Sequence, residues 1–391
     1  MTEKLYYKDS HIKEFEAKVK SCTENNGRFE IVLDRTAFFP EGGGQLADTG
    51  YIGEARVTDA HEKSGEVVHY ADISLEEGKN YKCAIDWEQR FRRMQNHTGE
   101  HIVSGLVHRK FGFDNVGFHM GKDAVTIDFN GEMSFEQLLE IEREANYIVA
   151  AGKRVICEFP EPEELENLSY RSKLELTENV RIVTIEDTDC CACCAPHLYS
   201  TSEVGLIKVL SMERRRRGGE GVRISMLCGL DAYDDYVTKQ NNAMAVSNLL
   251  SAPQDNIVPA VERLLSENEK QKIRVSEISM KYARMRAENA KAVNGNICIF
   301  EEMLDEPALR EIVNVCAKKC DKIAAVFSGN DESGYRYIIG SGSLNLRDYS
   351  KEINAALSGR GGGSAEMIQG SCSGKSETIQ NYIEKFRLVT H

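Results

Sequence analysis

The chain has 391 residues, 41% of them hydrophobic, which suffices for a sizeable core and exceeds one ordinary domain. No run reaches about 18 apolar residues, which excludes a helical membrane protein, and the first residues lack the pattern of a secretory signal. With twelve cysteines, we therefore expect free thiols and a cytoplasmic location. The formal net charge of −13 excludes nucleic-acid binding through the whole surface and leaves only local basic patches.

Residues 1–88 predict a small β-barrel, because short alternating runs such as Phe29–Leu33 are separated by Gly, Asn and Asp. Within this segment stand three consecutive glycines, Gly42–Gly44. Each glycine weakens a strand but permits positive φ and the close approach of a backbone or a ligand. Since the polar residues Glu41 and Gln45 flank the triplet, we favour a ligand-facing loop over a plain flexible hairpin.

Residues 89–230 predict a second unit of mixed helix and strand. Its first helix, 90–110, carries His97 and His101, which at positions i and i+4 share one face. Two histidines on an amphipathic helix are often ordinary surface and core residues. This pair therefore indicates a metal site only if further ligands exist elsewhere in the chain.

A cysteine cluster follows the predicted strand Arg181–Ile185 and supplies such ligands. Three residues separate Cys193 from His197, and cysteine and histidine are the usual ligands of zinc, which binds about four of them. The two pairs together predict a joint zinc site, with a structural site made by the cysteine cluster alone as the alternative. The pattern does not choose among the four thiols, which belong to Cys190, Cys191, Cys193 and Cys194.

Four contiguous arginines, Arg214–Arg217, follow an apolar run at Val204–Leu210 that predicts a strand. Arginines at a strand end or in a hairpin suit phosphate binding, whereas the alternative is an ordinary solvated face.

Residues 231–292 predict a long polar helical spacer or short coiled coil, split near Pro253, whose apolar residues recur at intervals of three and four. Self-association into a homodimer, through this spacer or through the C-terminal unit, is left open.

Residues 293–391 predict a second α/β unit, which makes the whole an α+β multidomain protein. Between its last two helices we expect a glycine loop, Gly359–Gly370, that includes Arg360. Bare backbone N–H groups beside one cation suit phosphate or a nucleic-acid backbone. The spacing is not that of a P-loop or a dinucleotide fingerprint.

The run from His97 to His101 also fits H-x-x-E-H, the inverted zinc-peptidase motif, in which Glu100 would be the general base. Such peptidases complete their site with a carboxylate, whereas this chain offers a thiol and a third histidine.

Four motifs, in order, resemble those of the alanyl-tRNA editing family. Phe38–Gln45 with Asp48–Gly50 resembles its glycine motif, and Met94–His101 resembles its first zinc half-site. Asp187–His197 is similar to the second half-site, inside a segment similar to the second additional domain shared by threonyl- and alanyl-tRNA synthetases. Gly359–Gly370 is similar to the DHH-associated domain that ends alanyl-tRNA synthetases and the long editing proteins.

The resemblance implies a free-standing deacylase that hydrolyses the ester of seryl-tRNA mischarged on alanine tRNA, with glycyl-tRNA left open. It implies alanine tRNA as the partner, no membrane, and Zn²⁺ as the cofactor. The implied zinc ligands are His97, His101, Cys193 and His197. A non-catalytic tRNA-binding module with a structural zinc is the alternative.

Hydrolysis of an activated ester needs a positioned water and a stabilised oxyanion. We expect Gln45 and the Gly42–Gly44 backbone to hold substrate and water, and Thr36 to bond the serine hydroxyl. Glu100 is a lesser candidate for the base. Arg214–Arg217 would meet phosphate near the acceptor stem, and Arg360 would contact tRNA through the C-terminal unit.

Overall fold

The computed structural model describes residues 1–121, 123–172, 180–215 and 220–387. The chain divides into two compact units, Met1–Met244 and Ala245–His391. The predicted α+β multidomain class is confirmed, whereas the bounds of the four predicted domains stay predictions. Across the described ranges, we find no helix whose length and hydropathy would suit a membrane span.

The first unit opens with eight strands: β1 (Glu3–Lys4), β2 (Glu14–Asn25), β3 (Arg28–Leu33), β4 (Arg35–Thr36), β5 (Gly50–Ile52), β6 (Ala55–Lys63), β7 (Glu66–Ala71) and β8 (Asn80–Ile85). Six of them form a closed antiparallel barrel in the order β2-β3-β7-β6-β5-β8, and β1 pairs with β4 in parallel. Alternating side chains such as Ile31, Leu33 and Val57 point inward and are fully buried.

The rest of this unit mixes helices and strands: α1 (Trp87–Phe111), β9 (Asn115–Met120), β10 (Val125–Phe129), α2 (Phe135–Ala151), β11 (Val155–Glu158), α3 (Pro162–Asn167), β12 (Ile182–Ile185), β13 (Asp189–Ala192), β14 (Ile207–Arg214), β15 (Val222–Cys228) and α4 (Gly229–Leu250). The sheet β14-β15-β10-β9 packs with α1 and α2 around one apolar core, and β11-β12-β13 form a smaller sheet. Gly112 ends α1 in the left-handed conformation, and a Ser134–Gln137 capping box begins α2.

The predicted strand Val204–Leu210 is wrong at its start. Thr201–Val204 form a 3₁₀ turn, and the strand begins only at Ile207. The Ser200 side chain accepts the Ser202 N–H, and such a local bond competes with strand pairing.

The second unit contains α5 (Ile257–Glu288), β16 (Ile297–Glu301), α6 (Glu306–Cys316), β17 (Ala324–Asn330), β18 (Gly334–Gly340), α7 (Leu346–Ala356), β19 (Gly359–Gly363), β20 (Met367–Cys372) and α8 (Ser376–Lys385). Its sheet has the order β16-β17-β18-β20-β19. One face packs on α5 and α6, and the other packs on α7 and α8.

The predicted glycine loop Gly359–Gly370 is also wrong, because most of it is the hairpin β19-β20. Glycine has low strand propensity, but here tight packing requires it. A Cβ on Gly361 would overlap the Tyr337 hydroxyl, and Asn354 of α7 donates to the Gly361 carbonyl at 3.1 Å. Arg360 therefore projects from an edge strand.

Candidate metal centre

α1 presents the first histidine pair on its buried face. His97 and His101 are each 2% exposed, and their ring centroids lie 5.4 Å apart. This distance is that of one helical turn, as the i, i+4 spacing predicted.

Two turns earlier, Arg90 joins α1 to the barrel. Its fully buried guanidinium forms a salt bridge with Asp48 and donates to the carbonyl oxygens of Ser10 and Ala37. Asp48 also accepts the Phe39 N–H at 2.6 Å. Since Phe39 and Asp48 bracket the glycine triplet, one arginine ties both ends of that loop to the histidine helix.

The second pair, Cys193 and His197, lies in the segment directly after β13. The Cys193 Sγ atom lies 3.5 Å from His97 Nε2 and 3.4 Å from His197 Nε2. The ligand atoms of His97, His101, Cys193 and His197 all lie within 4.8 Å of one another. A tetrahedral zinc with ordinary bond lengths has a sulfur–nitrogen edge of about 3.6 Å, so this donor set fits the ion.

Each of the three imidazoles is held through its Nδ1 atom, which leaves Nε2 for a metal. The partner oxygens come from three different parts of the fold. They are Gln45 Oε1 on His97 at 2.9 Å, Asp189 Oδ2 on His101 at 3.0 Å, and Thr98 Oγ1 on His197 at 3.0 Å.

Electrostatics favour neutral imidazole at His197 and an ionised carboxylate at Asp189. Burial and the nearby histidines lower the pKa of His197 well below its usual range. Burial alone would raise the pKa of Asp189, but hydrogen bonds from His101 and Arg171 lower it to about 2. Arg171 contacts both Asp189 oxygens at 2.8 Å, which completes a chain from Arg171 through Asp189 to His101.

Of the four clustered thiols, the structure brings only Cys193 into the three-histidine group. Cys191 forms a separate group with His101 and Asp189, and burial raises the pKa of its thiol to about 11. Cys190 Sγ instead accepts a hydrogen bond from a threonine hydroxyl.

The glycine triplet forms a tight turn against the metal centre. Gly43 and Gly44 have φ of +59° and +82°, a region that favours glycine. A Cβ on Gly43 would lie 3.1 Å from Cys194 Sγ, and one on Gly44 would lie 2.5 Å from a ring carbon of Phe118. Both glycines are exposed, and within the described residues neither N–H donates to a protein acceptor.

Gln45 links this turn to the metal centre. Its side chain is fully buried, and its Oε1 atom lies 2.9 Å from His97 Nδ1. Its Nε2 donors have no partner in the described part of the chain. A buried amide left unpaired is costly, which is typical of a group that awaits a ligand.

The other two predicted catalytic residues, Thr36 and Glu100, are buried. Thr36 is inside the barrel, where its hydroxyl lies 2.8 Å from His69 Nε2 and accepts the Phe38 N–H. Glu100 is 2% exposed and accepts hydrogen bonds from Ser104 and Asn115.

Of the predicted basic residues, Arg214 ends β14 with an exposed side chain, 3.8 Å from a glutamate. Arg215 is mostly buried, 3.9 Å from Asp128. Arg216 and Arg217 lie outside the described residues. Arg360 is exposed on β19.

Two family models match the chain: class II (A) tRNA synthetases over residues 2–89, and the second additional domain of threonyl and alanyl tRNA synthetases over residues 180–223. The alanyl-tRNA editing protein AlaX-L of Pyrococcus horikoshii is 30% identical over 99% of both chains. The chain belongs to the alanyl-tRNA editing protein family.

This chain is also similar to parts of longer enzymes. Alanine–tRNA ligase of Pyrococcus abyssi is 31% identical over 98% of the chain, which spans 43% of the ligase. The C-Ala domain of Aquifex aeolicus alanyl-tRNA synthetase matches 25% of the chain at 19% identity and a TM-score of 0.21, too low to support an argument. Family membership makes the protein an aminoacyl-tRNA deacylase, a hydrolase of ester bonds, as predicted.

The sequence patterns did not predict the residues that orient the candidate ligands, namely Asp189, Arg171 and Thr98. Asp189 stands directly before the cysteine cluster, and an acid next to predicted ligands was a usable signal. Arg171 carried no such signal, because it reaches Asp189 only through the pairing of its backbone beside β13.

Cobalt substitution tests which thiol binds metal. We expect Cys193→Ala to abolish the thiolate-to-cobalt absorption band, because its sulfur is the one within 3.5 Å of two imidazole nitrogens. Cys191→Ala and Cys194→Ala are the matched controls and should keep the band. A band that disappears with either control instead would contradict this choice of ligand.

Proposed function

We propose that the protein is a trans-editing enzyme that hydrolyses seryl-tRNA(Ala), with glycyl-tRNA(Ala) as a second substrate. The observation that carries the proposal is the buried Gln45 Nε2 group. It has no hydrogen-bond partner among the described residues and lies beside a cluster of three histidines and one thiol. It supplies hydrogen-bond donors where an ester carbonyl or its attacking water has to be held.

The glycine turn supplies a second set of donors. The exposed N–H groups of Gly43 and Gly44 stand next to Gln45 and can stabilise the negative charge that develops on the ester oxygen. Side chains at these positions would strain the turn and strike Cys194 or Phe118.

Zinc is the cofactor that this donor set fits, held by His97, His101, Cys193 and His197. Held by four protein ligands, the ion would join α1 to the turn after β13 and would supply a positive charge that attracts electron-rich groups of the substrate. Glu100, whose Oε2 lies 3.8 Å from His101 Nε2, is the candidate base.

Serine selectivity is proposed to depend on Thr36. His69 is neutral, since burial lowers its pKa to about 4, and its Nδ1 lies 3.0 Å from the Ile31 carbonyl oxygen. His69 Nε2 must then accept the Thr36 proton, so the Thr36 oxygen can only accept. The Thr36 oxygen can therefore accept a hydrogen bond from the serine hydroxyl, whereas alanine has no hydroxyl that could donate one.

Gln45 variants separate metal orientation from substrate binding. Gln45→Leu removes both functions, whereas Gln45→Glu keeps an acceptor for His97 and loses the donors. We expect Gln45→Glu to retain zinc while serine release from seryl-tRNA(Ala) slows by about 10²- to 10³-fold.

The assay compares amino-acid release from seryl-, glycyl- and alanyl-tRNA(Ala), with zinc measured in the same samples. Retention of alanine with release of serine supports the proposal. Binding of tRNA without release would favour the non-catalytic module, and cleavage of peptides would favour the zinc peptidase. Wild-type rates in Gln45→Glu would reject the role given to Gln45.

A basic row on the second unit is proposed to contact tRNA. Arg336 and Arg360 both lie opposite Ser371 in the sheet, so they share one face, about 10 Å apart with one strand between them. Both side chains are exposed, and no described carboxylate forms an ion pair with either. Arg214 offers a similar cation on the first unit.

Salt dependence measures these contacts. Each arginine that neutralises a phosphate adds about 0.7–0.9 to the slope of log affinity against log salt. We expect Arg336→Ala with Arg360→Ala to lower the slope by about 1.4–1.8. Arg284→Ala, which removes an arginine already paired with Glu311 at 2.7 Å, is the control. An unchanged slope in the double variant would contradict the contact.

A homodimer through α5 is proposed from an exposed heptad. Apolar or amide side chains occupy every a and d position: Val261, Leu264, Asn268, Gln271, Val275, Ile278, Tyr282 and Met285. The opposite face is already used, since Ala283 and Ala287 are buried against α6.

An antiparallel second copy matches this heptad. It places Asn268 against Gln271, Val261 against Ile278 and Leu264 against Val275, and it pairs Glu267 with Arg274 twice. A parallel copy would bring Lys281 beside Arg286, a repulsive contact.

Sedimentation analysis tests the pairing. Val275→Asp with Ile278→Asp places charges in the seam and should give a monomer. Ile273→Asp adds a charge at an exposed position outside the seam and should leave the dimer intact. Equal masses for both variants would reject the interface.

A further inference from the structure

Arg181 is a buried cation that the chemistry above does not use. It is 5% exposed and stands just before β12. Within the described ranges, no carboxylate forms an ion pair with it. Its Nε atom is buried without a hydrogen-bond partner.

What Arg181 does contact is the turn that carries the metal ligands. Its carbonyl oxygen accepts the Cys193 N–H at 3.0 Å, which extends the pairing of β12 and β13 by one residue. Its Nη1 then donates to the carbonyl oxygens of Cys193 at 3.0 Å and Ala195 at 2.7 Å. Three bonds from one residue therefore fix the backbone on both sides of Cys194.

The surroundings hold the guanidinium against this turn. The Tyr7 ring lies over it, with its centroid 5.4 Å from the guanidinium carbon. A buried cation with an unpaired N–H is expensive, and an apolar side chain of similar size would usually be at least as stable. General stability therefore does not explain an arginine here, whereas control of the turn does.

We propose that Arg181 is a positioning residue for the metal centre. By clamping the carbonyl groups of Cys193 and Ala195, it holds the turn in the shape that brings Cys193 Sγ within 3.4 Å of His197 Nε2. This inference rests on the metal centre proposed above and assigns a role to a residue outside the ligand set and the substrate loop.

The test uses Arg181→Met and Arg181→Lys in the full chain, with Arg223→Met as a matched control. Arg223 pairs with Asp128 in the same unit, away from the four ligands. Cobalt affinity, the cobalt absorption spectrum and the thermal midpoint with and without metal are measured together.

We expect Arg181→Met to weaken cobalt binding by about 10- to 100-fold and to shift the ligand-field bands. Arg181→Lys, which keeps the charge but not the planar fork, should give a smaller loss. The control should match wild type. The rise in midpoint on adding metal should shrink only in the Arg181 variants.

Two results would overturn the proposal: wild-type affinity and spectrum in Arg181→Met, or an equal fall in midpoint for the metal-free and metal-loaded forms, which a purely structural role would give. If wild-type protein shows no thiolate-to-cobalt band at all, the metal centre itself fails. Because the wild-type measurement involves no substitution, failure of the metal centre can be distinguished from failure of the role given to Arg181.

Discussion

The buried ion pair of Arg90 and Asp48 is the interaction on which the rest of the site depends. It connects the barrel to α1 at the one place where both ends of the glycine loop can be held, because Asp48 also accepts the Phe39 N–H. Removal of one partner from a buried pair costs about 3–5 kcal/mol, since the other charge is left uncompensated. Together with the bond from Arg93 of α1 to the Ala47 carbonyl oxygen, this pair holds the loop against the helix where Gln45 reaches His97.

The candidate metal centre is a property of the folded unit. Its three histidines are oriented from three directions: a loop of the barrel, the helix itself, and the strand β13. None of these partners is near its own histidine in the sequence, since Thr98, although adjacent to His97, orients His197. Metal binding should therefore be strongly linked to folding of the first unit.

Glycine serves two different purposes in the two units. In the first, Gly43 and Gly44 need positive φ and lack room for a side chain, and their exposed N–H groups remain available. In the second, Gly361 lets β19 approach Tyr337, and its carbonyl is bonded to Asn354. Similar glycine runs in the sequence thus correspond to a binding turn in one unit and a packed strand in the other.

The sequence by itself determined the family and the i, i+4 spacing of two histidines on a helix, and it predicted the candidate ligand types, because local periodicity and motif order are readable without coordinates. It also predicted the helix that carries the first histidine pair as 90–110, close to the observed Trp87–Phe111. The residue pattern left the four clustered thiols open and only the family resemblance implied Cys193, whereas the tertiary structure places its sulfur beside the histidines. Only the tertiary structure decided that Gln45 holds His97 and that Arg181 clamps the turn. Those contacts join residues from 12 to 96 positions apart, and such distances are set by packing and strand register rather than by any local pattern.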